Sequence, residues 1–194
     1  MGKAGQITVC GLYKSFDGKP VLQNVNFSLP AGSRTCLYGP SGCGKTTLLA
    51  LLLGLTAPDA GMVQGVGRAS AVFQEDRLCP DFNAYTNLHI AAKATRTEIL
   101  TLLGLLLPED SFFVPVRTLS GGMARRVAIG RALLAEGDTL LLDEPFRGLD
   151  EDTRRTCAQT VLDYLHGRTL LAISHDPAAE AALLGAEARP FPLS

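Results

Sequence analysis

Short apolar stretches, separated by turns bearing glycine and proline, set the rhythm of this chain. Residues 6–13 (QITVCGLY) mix β-branched and apolar positions as a strand does. Residues 21–29 alternate through Val25, Phe27 and Leu29 and stop at Pro30-Ala31-Gly32, predicting a second strand. Residues 34–38 form a short run that meets a glycine-dense turn. An apolar helix is predicted over 46–53, with Gly54 as its C-terminal stop. A short buried strand follows at 71–73, and helical periodicity covers 87–107, with breaks at Gly104 and Pro108. Residues 121–135 read as a helix opened by Ser120 and stopped near Gly137. Residues 139–142 are almost wholly apolar, so both faces of that strand should be covered, as in a parallel sheet. A helix over 151–166, capped by Asp150 and ended by Gly167, precedes an apolar strand at 169–174 and a last helix at 177–184. Strands separated by helices predict an α/β fold with a largely parallel sheet.

Length and composition narrow the class. At 194 residues the chain should form one compact unit, with room for one inserted subdomain. Apolar residues make up 46%, enough for a sizeable core and against disorder. Eighteen basic residues against nineteen acidic ones argue against a nucleic-acid coat or a polybasic membrane binder. The longest apolar run, 48–53, is far short of the roughly 20 residues that span a bilayer. The opening MGKAGQITVC lacks the apolar stretch of a secretory signal, and Gln6 breaks the myristoylation pattern. The five cysteines are irregularly spaced and include no CxxC, which predicts free thiols in a reducing compartment.

Candidate chemistry begins at Gly39-Pro40-Ser41-Gly42-Cys43-Gly44-Lys45-Thr46-Thr47, a G-x4-G-K-[ST] loop between a predicted strand and a predicted helix. Its glycines let backbone N–H groups turn inward around a polyphosphate, and the following helix aims its positive end at the same anion. Lys45 can reach the β and γ oxygens, and Thr46 can ligate Mg2+. The run Leu140-Leu141-Leu142-Asp143-Glu144-Pro145 places two acids at the C-terminal end of a buried strand, the edge where α/β sheets bind ligands. Asp143 can hold Mg2+ through its water shell, and Glu144 can accept a proton from an attacking water. No lysine follows an asparagine, so the N-K-x-D guanine motif of GTPases is missing.

Leu119-Ser120-Gly121-Gly122-Met123, a little upstream of Asp143, resembles the signature of ATP-binding cassette (ABC) ATPases. The resemblance covers nearly the whole chain in the family's order. It implies a P-loop NTPase of the ABC type: a largely parallel sheet core with antiparallel N-terminal strands and an inserted helical subdomain. Residues 1–74 and 136–194 would form the nucleotide-binding core, and 75–135 the helical subdomain with the signature. The family's roles then fall on particular residues. Phe16 would stack on adenine, and residues 39–47 with Lys45 would hold the phosphates. Thr46, Gln74 and Asp143 would hold Mg2+, with Gln74 also meeting the attacking water. Glu144 would be the general base, and His175, in Ile173-Ser174-His175-Asp176, the switch histidine on the γ-phosphate. Ser120, Gly121, Gly122 and the D-loop residue Asp150 would meet the nucleotide of a second copy. One nucleotide hardly needs both a P-loop and a second anion-binding helix start, so two chains arranged head to tail would close two ATP molecules between them.

The resemblance also implies a job. The chain looks like the ATPase subunit of a multi-subunit transporter at the cytoplasmic face of the cell membrane, with permease subunits, a solute-binding subunit and no nucleic acid as partners. VFQEDRL and EPFRGLD are similar to importer cassettes of the nitrate, sulfonate and taurine type. Docking is expected on residues 75–118, with Phe82, Tyr85, Phe112 and Phe113 as contacts. The alternative is an ABC-type ATPase that remodels a macromolecular complex. Three departures stand out: Met123 where glutamine is commoner, Gly130 inside a helix, and a short stretch between Lys45 and Gln74 where the family's hairpin-bearing region should be trimmed.

Overall fold

The computed structural model describes residues 5–174 and 177–191. By internal contacts the chain divides into two units: one takes in the residues up to Ala69, Gly137–Asp143 and those from Gly167 onward; the other takes in Ser70–Glu136 and Glu144–His166.

The first unit holds two sheets. β1 (Ile7–Phe16) pairs antiparallel with β2 (Lys19–Leu29), and on its other side with β4 (Ala60–Gln64). Ile7, Val9, Leu12, Leu22, Val25 and Leu29 line their buried face. β4 was not visible in the sequence pattern. It is short and mostly exposed, and its pairing with β1 depends on Gly61, at φ +85, where a Cβ would collide with the Gly11 and Cys10 backbone. Between α1 and β5 the structure describes this strand alone.

The second sheet is parallel. β3 (Arg34–Tyr38) lies between β7 (Thr169–Ser174) and β8 (Glu187–Pro190), and β6 (Thr139–Asp143) pairs with β7. Every residue of β6 and β7 is buried, which explains why both read as unbroken apolar runs. α1 (Lys45–Leu52) buries Leu48, Leu49, Leu51 and Leu52. α6 (Pro177–Leu184) follows β7. β8 was also missed: Glu-Ala-Arg-Pro has no strand-like pattern, and its partner β3 recruits it, with Thr35 opposite Glu187 and Tyr38 opposite Pro190.

The second unit takes β5 (Ala69–Val72) from Ser70 onward and is otherwise helical: α2 (Ala84–His89), α3 (Arg96–Leu106), α4 (Gly121–Leu134) and α5 (Glu151–Asp163). The periodicity over 87–107 conceals a break. α2 ends at His89, and α3 restarts at a capping box in which Thr95 and Glu98 each satisfy the other's backbone N–H. Gly104 does not break α3; it lies on the exposed face and the helix runs through it. α5 stops short of the expected His166, which adopts φ 48.

Gly130 has a packing reason. A Cβ there would stand 3.0 Å from Leu106 Cδ1 and 3.4 Å from Leu88 Cδ2, so α4 approaches its neighbours through this gap. Gly130→Leu is expected to cost about 1–3 kcal/mol through overpacking, read as a lower denaturant midpoint at unchanged m. All five cysteines are free. Burial pushes the Cys36 thiol up to about 12 and that of Cys157 to about 11, as expected of packed, unreactive thiols. Among the described residues no helix is long and apolar enough to cross a membrane.

Candidate functional site

The residues of the G-x4-G-K-[ST] loop belong to the first unit. β3 ends at Tyr38, and the chain turns through 39–44 directly into α1. Gly44, the N-cap, has φ 94, and a Cβ there would stand 3.1 Å from the Val21 carbonyl oxygen, so the turn requires glycine. Lys45 follows and is only 6% exposed. Its Nζ donates to the carbonyls of Gly39 at 2.7 Å and Pro40 at 2.8 Å, and lies 3.6 Å from Cys43 Sγ. These carbonyls compensate a buried ammonium and hold its charge inside the loop, where phosphate oxygens would enter. Ser41 and Gly42 are exposed on the same loop, and Thr47 is half-buried behind it.

Thr46 Oγ1 donates to Asp143 Oδ2 at 2.9 Å. Asp143, 2% exposed, is the last residue of β6. A hydroxyl from the first turn of α1 thus meets a carboxylate from the sheet's C-terminal edge. Both are hard oxygen donors of the kind Mg2+ takes. Among the described residues no group of three or more His, Cys, Asp or Glu is arranged to hold a metal.

Phe16 ends β1 and is 48% exposed. Lys14 Nζ lies 5.3 Å from the ring centroid and is itself held by Asp59 at 2.8 Å. His175 lies outside the described residues.

The remaining candidates belong to the second unit. Glu144 is 9% exposed, with φ 49. Its carbonyl accepts from Arg147 N at 3.2 Å and from Arg125 Nη2 at 2.8 Å, and its Oε2 lies 3.5 Å from Arg147 Nη1. Gln74 is exposed on a bend just past β5. Ser120 caps α4, its Oγ accepting from Met123 N at 3.2 Å. Gly121 has open space where a Cβ would be, while Gly122 sits close to Leu149. Asp150 caps α5, accepting from Thr153 N at 3.0 Å and Thr153 Oγ1 at 2.7 Å, and these bonds hold its carboxyl below the usual range.

Arg125 was missed. In a run Arg125-Arg126 it reads as a solvated helix face, yet its side chain is 5% exposed and donates to Phe73 O, Asp76 Oδ1 and Glu144 O. The overlooked signal is position: Ala128, Ile129 and Ala132, all buried, stand three, four and seven residues further along α4, so Arg125 falls on the apolar stripe.

The same unit presents an apolar face. Val116 N donates to Phe82 O and Tyr85 N to Phe112 O, joining two segments side by side. Phe82, Phe113 and Ile90 are 47%, 55% and 56% exposed, and the Tyr85 and Phe113 rings stand 5.9 Å apart. Phe112 faces inward at 6% exposure, so it belongs to the core and not to the expected contact.

Residues 22–147 match the family described as ABC transporter. The chain is 42% identical to the aliphatic sulfonates import ATP-binding protein SsuB 1 of Nocardia farcinica, over 88% of this chain and 71% of that protein. It is 36% identical to the taurine import ATP-binding protein TauB of Yersinia pestis bv. Antiqua, over 93% of this chain and 77% of that one. Among solved structures, a dimeric ATP-binding cassette in a post-hydrolysis state bound to ADP and Pi is similar at a TM-score of 0.81 and 26% identity, covering 91% of this chain and 90% of that chain.

Proposed function

We propose that this chain, which belongs to the ABC transporter family, is the ATP-hydrolysing subunit that powers a small-solute importer. The observation that carries the ATPase reading is the 2.9 Å bond between Thr46 and Asp143, which joins the P-loop helix to the strand-end carboxylate beside the buried Lys45. The importer reading draws on the sulfonate and taurine import relatives, which favour it over remodelling of a macromolecular complex.

ATP enters with its phosphates against the loop N–H groups. Lys45 exchanges its carbonyl partners for phosphate oxygens, and Phe16 offers its face to the base. Thr46 and Asp143, with Gln74, would hold Mg2+, which supplies charge neutralisation on the phosphates. Glu144 takes the proton from the attacking water, and His175 would orient that water at the γ-phosphate. Ser120, Gly121, Gly122 and Asp150 face the nucleotide of a second copy, and the similar cassette bound to ADP and Pi is itself a dimer. Two copies then close head to tail around two ATP molecules, and hydrolysis releases them.

Permease subunits dock on the face of Phe82, Tyr85 and Phe113 and hold the chain peripherally at the cytoplasmic side of the cell membrane, a solute-binding subunit delivering the cargo. Purification of the native complex tests this: a membrane permease should accompany the chain. Replacing both Phe82 and Phe113 by Ser should reduce the recovered permease about 30-fold, as expected when two apolar anchors are lost, with ATP affinity unchanged. Undiminished recovery would exclude this face as the dock.

A further inference from the structure

We infer that Arg125 is a positioning residue that holds Glu144 and the segment around Gln74 as one piece with α4; the inference rests on the roles proposed above for those two residues. A guanidinium offers five N–H donors in a rigid planar fork. In this chain the fork is divided among separate stretches. Phe73 O and Asp76 Oδ1 bracket Gln74 in the sequence, and the third acceptor is Glu144 O at 2.8 Å. Arg131, further along the same helix, donates to Arg77 O at 2.7 Å and Asp76 O at 3.0 Å, so α4 grips the segment from 73 to 77 at two points.

The contact with Glu144 matters most. At φ 49 its backbone adopts the left-handed conformation that a residue with a side chain keeps only when its surroundings impose it. Its carbonyl receives two donors, Arg147 N from the turn that follows and Arg125 from α4. The direction in which the carboxylate leaves the backbone is therefore set partly by Arg125, through the Glu144 backbone carbonyl. α4 begins at the signature residues, so a displacement of those residues on closure reaches Glu144 through Arg125, and the segment around Gln74 through Arg125 and Arg131. Lysine in place of Arg125 keeps the charge for Asp76 but has one nitrogen, and cannot reproduce a fork that reaches Phe73 O, Asp76 Oδ1 and Glu144 O from two nitrogens.

The test is Arg125→Lys in the full chain, with kcat, KM for ATP and nucleotide stoichiometry measured together. We expect kcat to fall on the order of 10–100-fold, as misplaced catalytic groups do, with KM changed less than about threefold and nucleotide binding per chain unchanged. A fall in stoichiometry that matches the fall in kcat would mean lost fold and would overturn the assignment, as would wild-type kcat at full stoichiometry. If the lysine variant does not accumulate, Arg125→Gln combined with Asp76→Asn leaves no buried charge and is read in the same way. Glu144→Gln, assayed alongside, separates the two levels. If it turns over normally, the reading of Glu144 as base fails and this inference with it. If it is inactive while Arg125→Lys is unaffected, only this inference fails.

Discussion

Glu144→Gln should bind ATP as the wild type does and turn it over about 10²–10⁴-fold more slowly, the usual contribution of a positioned proton acceptor. The substitution keeps the shape of a side chain that is only 12% exposed, and both donors to its backbone carbonyl remain. What it removes is the carboxylate's capacity to take a proton, together with the 3.5 Å pairing to Arg147. That pairing involves an arginine 64% exposed, so its loss should contribute little to stability. Because ATP persists uncut, the variant should also run as a dimer on a sizing column with ATP and as a monomer without it. Steady-state turnover, bound nucleotide and elution volume check this prediction. Turnover close to wild type would place the base elsewhere, and a strictly monomeric variant would count against the shared site.

Lys45→Ala should weaken ATP binding about 100-fold or more. Hydrogen bonds from a charged donor contribute about 1.5–3 kcal/mol each, and two to phosphate oxygens would therefore account for two decades or more in affinity. The geometry explains why no neighbour substitutes. The ammonium is buried within the loop and already held at 2.7 and 2.8 Å by carbonyls of Gly39 and Pro40. Removing it leaves inward-facing carbonyl oxygens that repel the incoming phosphates. A fluorescence titration with ATP reads the change, and an affinity within about threefold of wild type would remove Lys45 from the phosphate site.

Local backbone structure was legible in the residues, and long-range pairing was not. β3, β7 and α6 occupy the residues expected of them, because an apolar run bounded by polar turns states its own limits. The P-loop was readable for the same reason: the conformations it needs are written in Gly42 and Gly44, both at positive φ. β4 and β8 carry little strand character and exist because β1 and β3 offer them an edge. The break between α2 and α3 was hidden by apolar residues that keep the helical period on both sides of it. Arg125 was the costliest omission. Its meaning lies in Phe73, Asp76 and Glu144, acceptors that are distant along the chain and meet only after folding.

The position of β3 has a consequence for how the protein comes into being. Both its neighbours, β7 and β8, lie more than a hundred residues further along the chain, and Phe191 N closes the ladder on Tyr38 O at 2.7 Å, at the root of the P-loop. Ribosomes add roughly 5–20 residues per second, so the nascent strand waits on the order of ten seconds for the partners that flank it. Such distant pairings also fold slowly. Nascent chains should therefore emerge with their nucleotide-gripping loop already translated but unsupported, and acquire affinity for ATP late in synthesis.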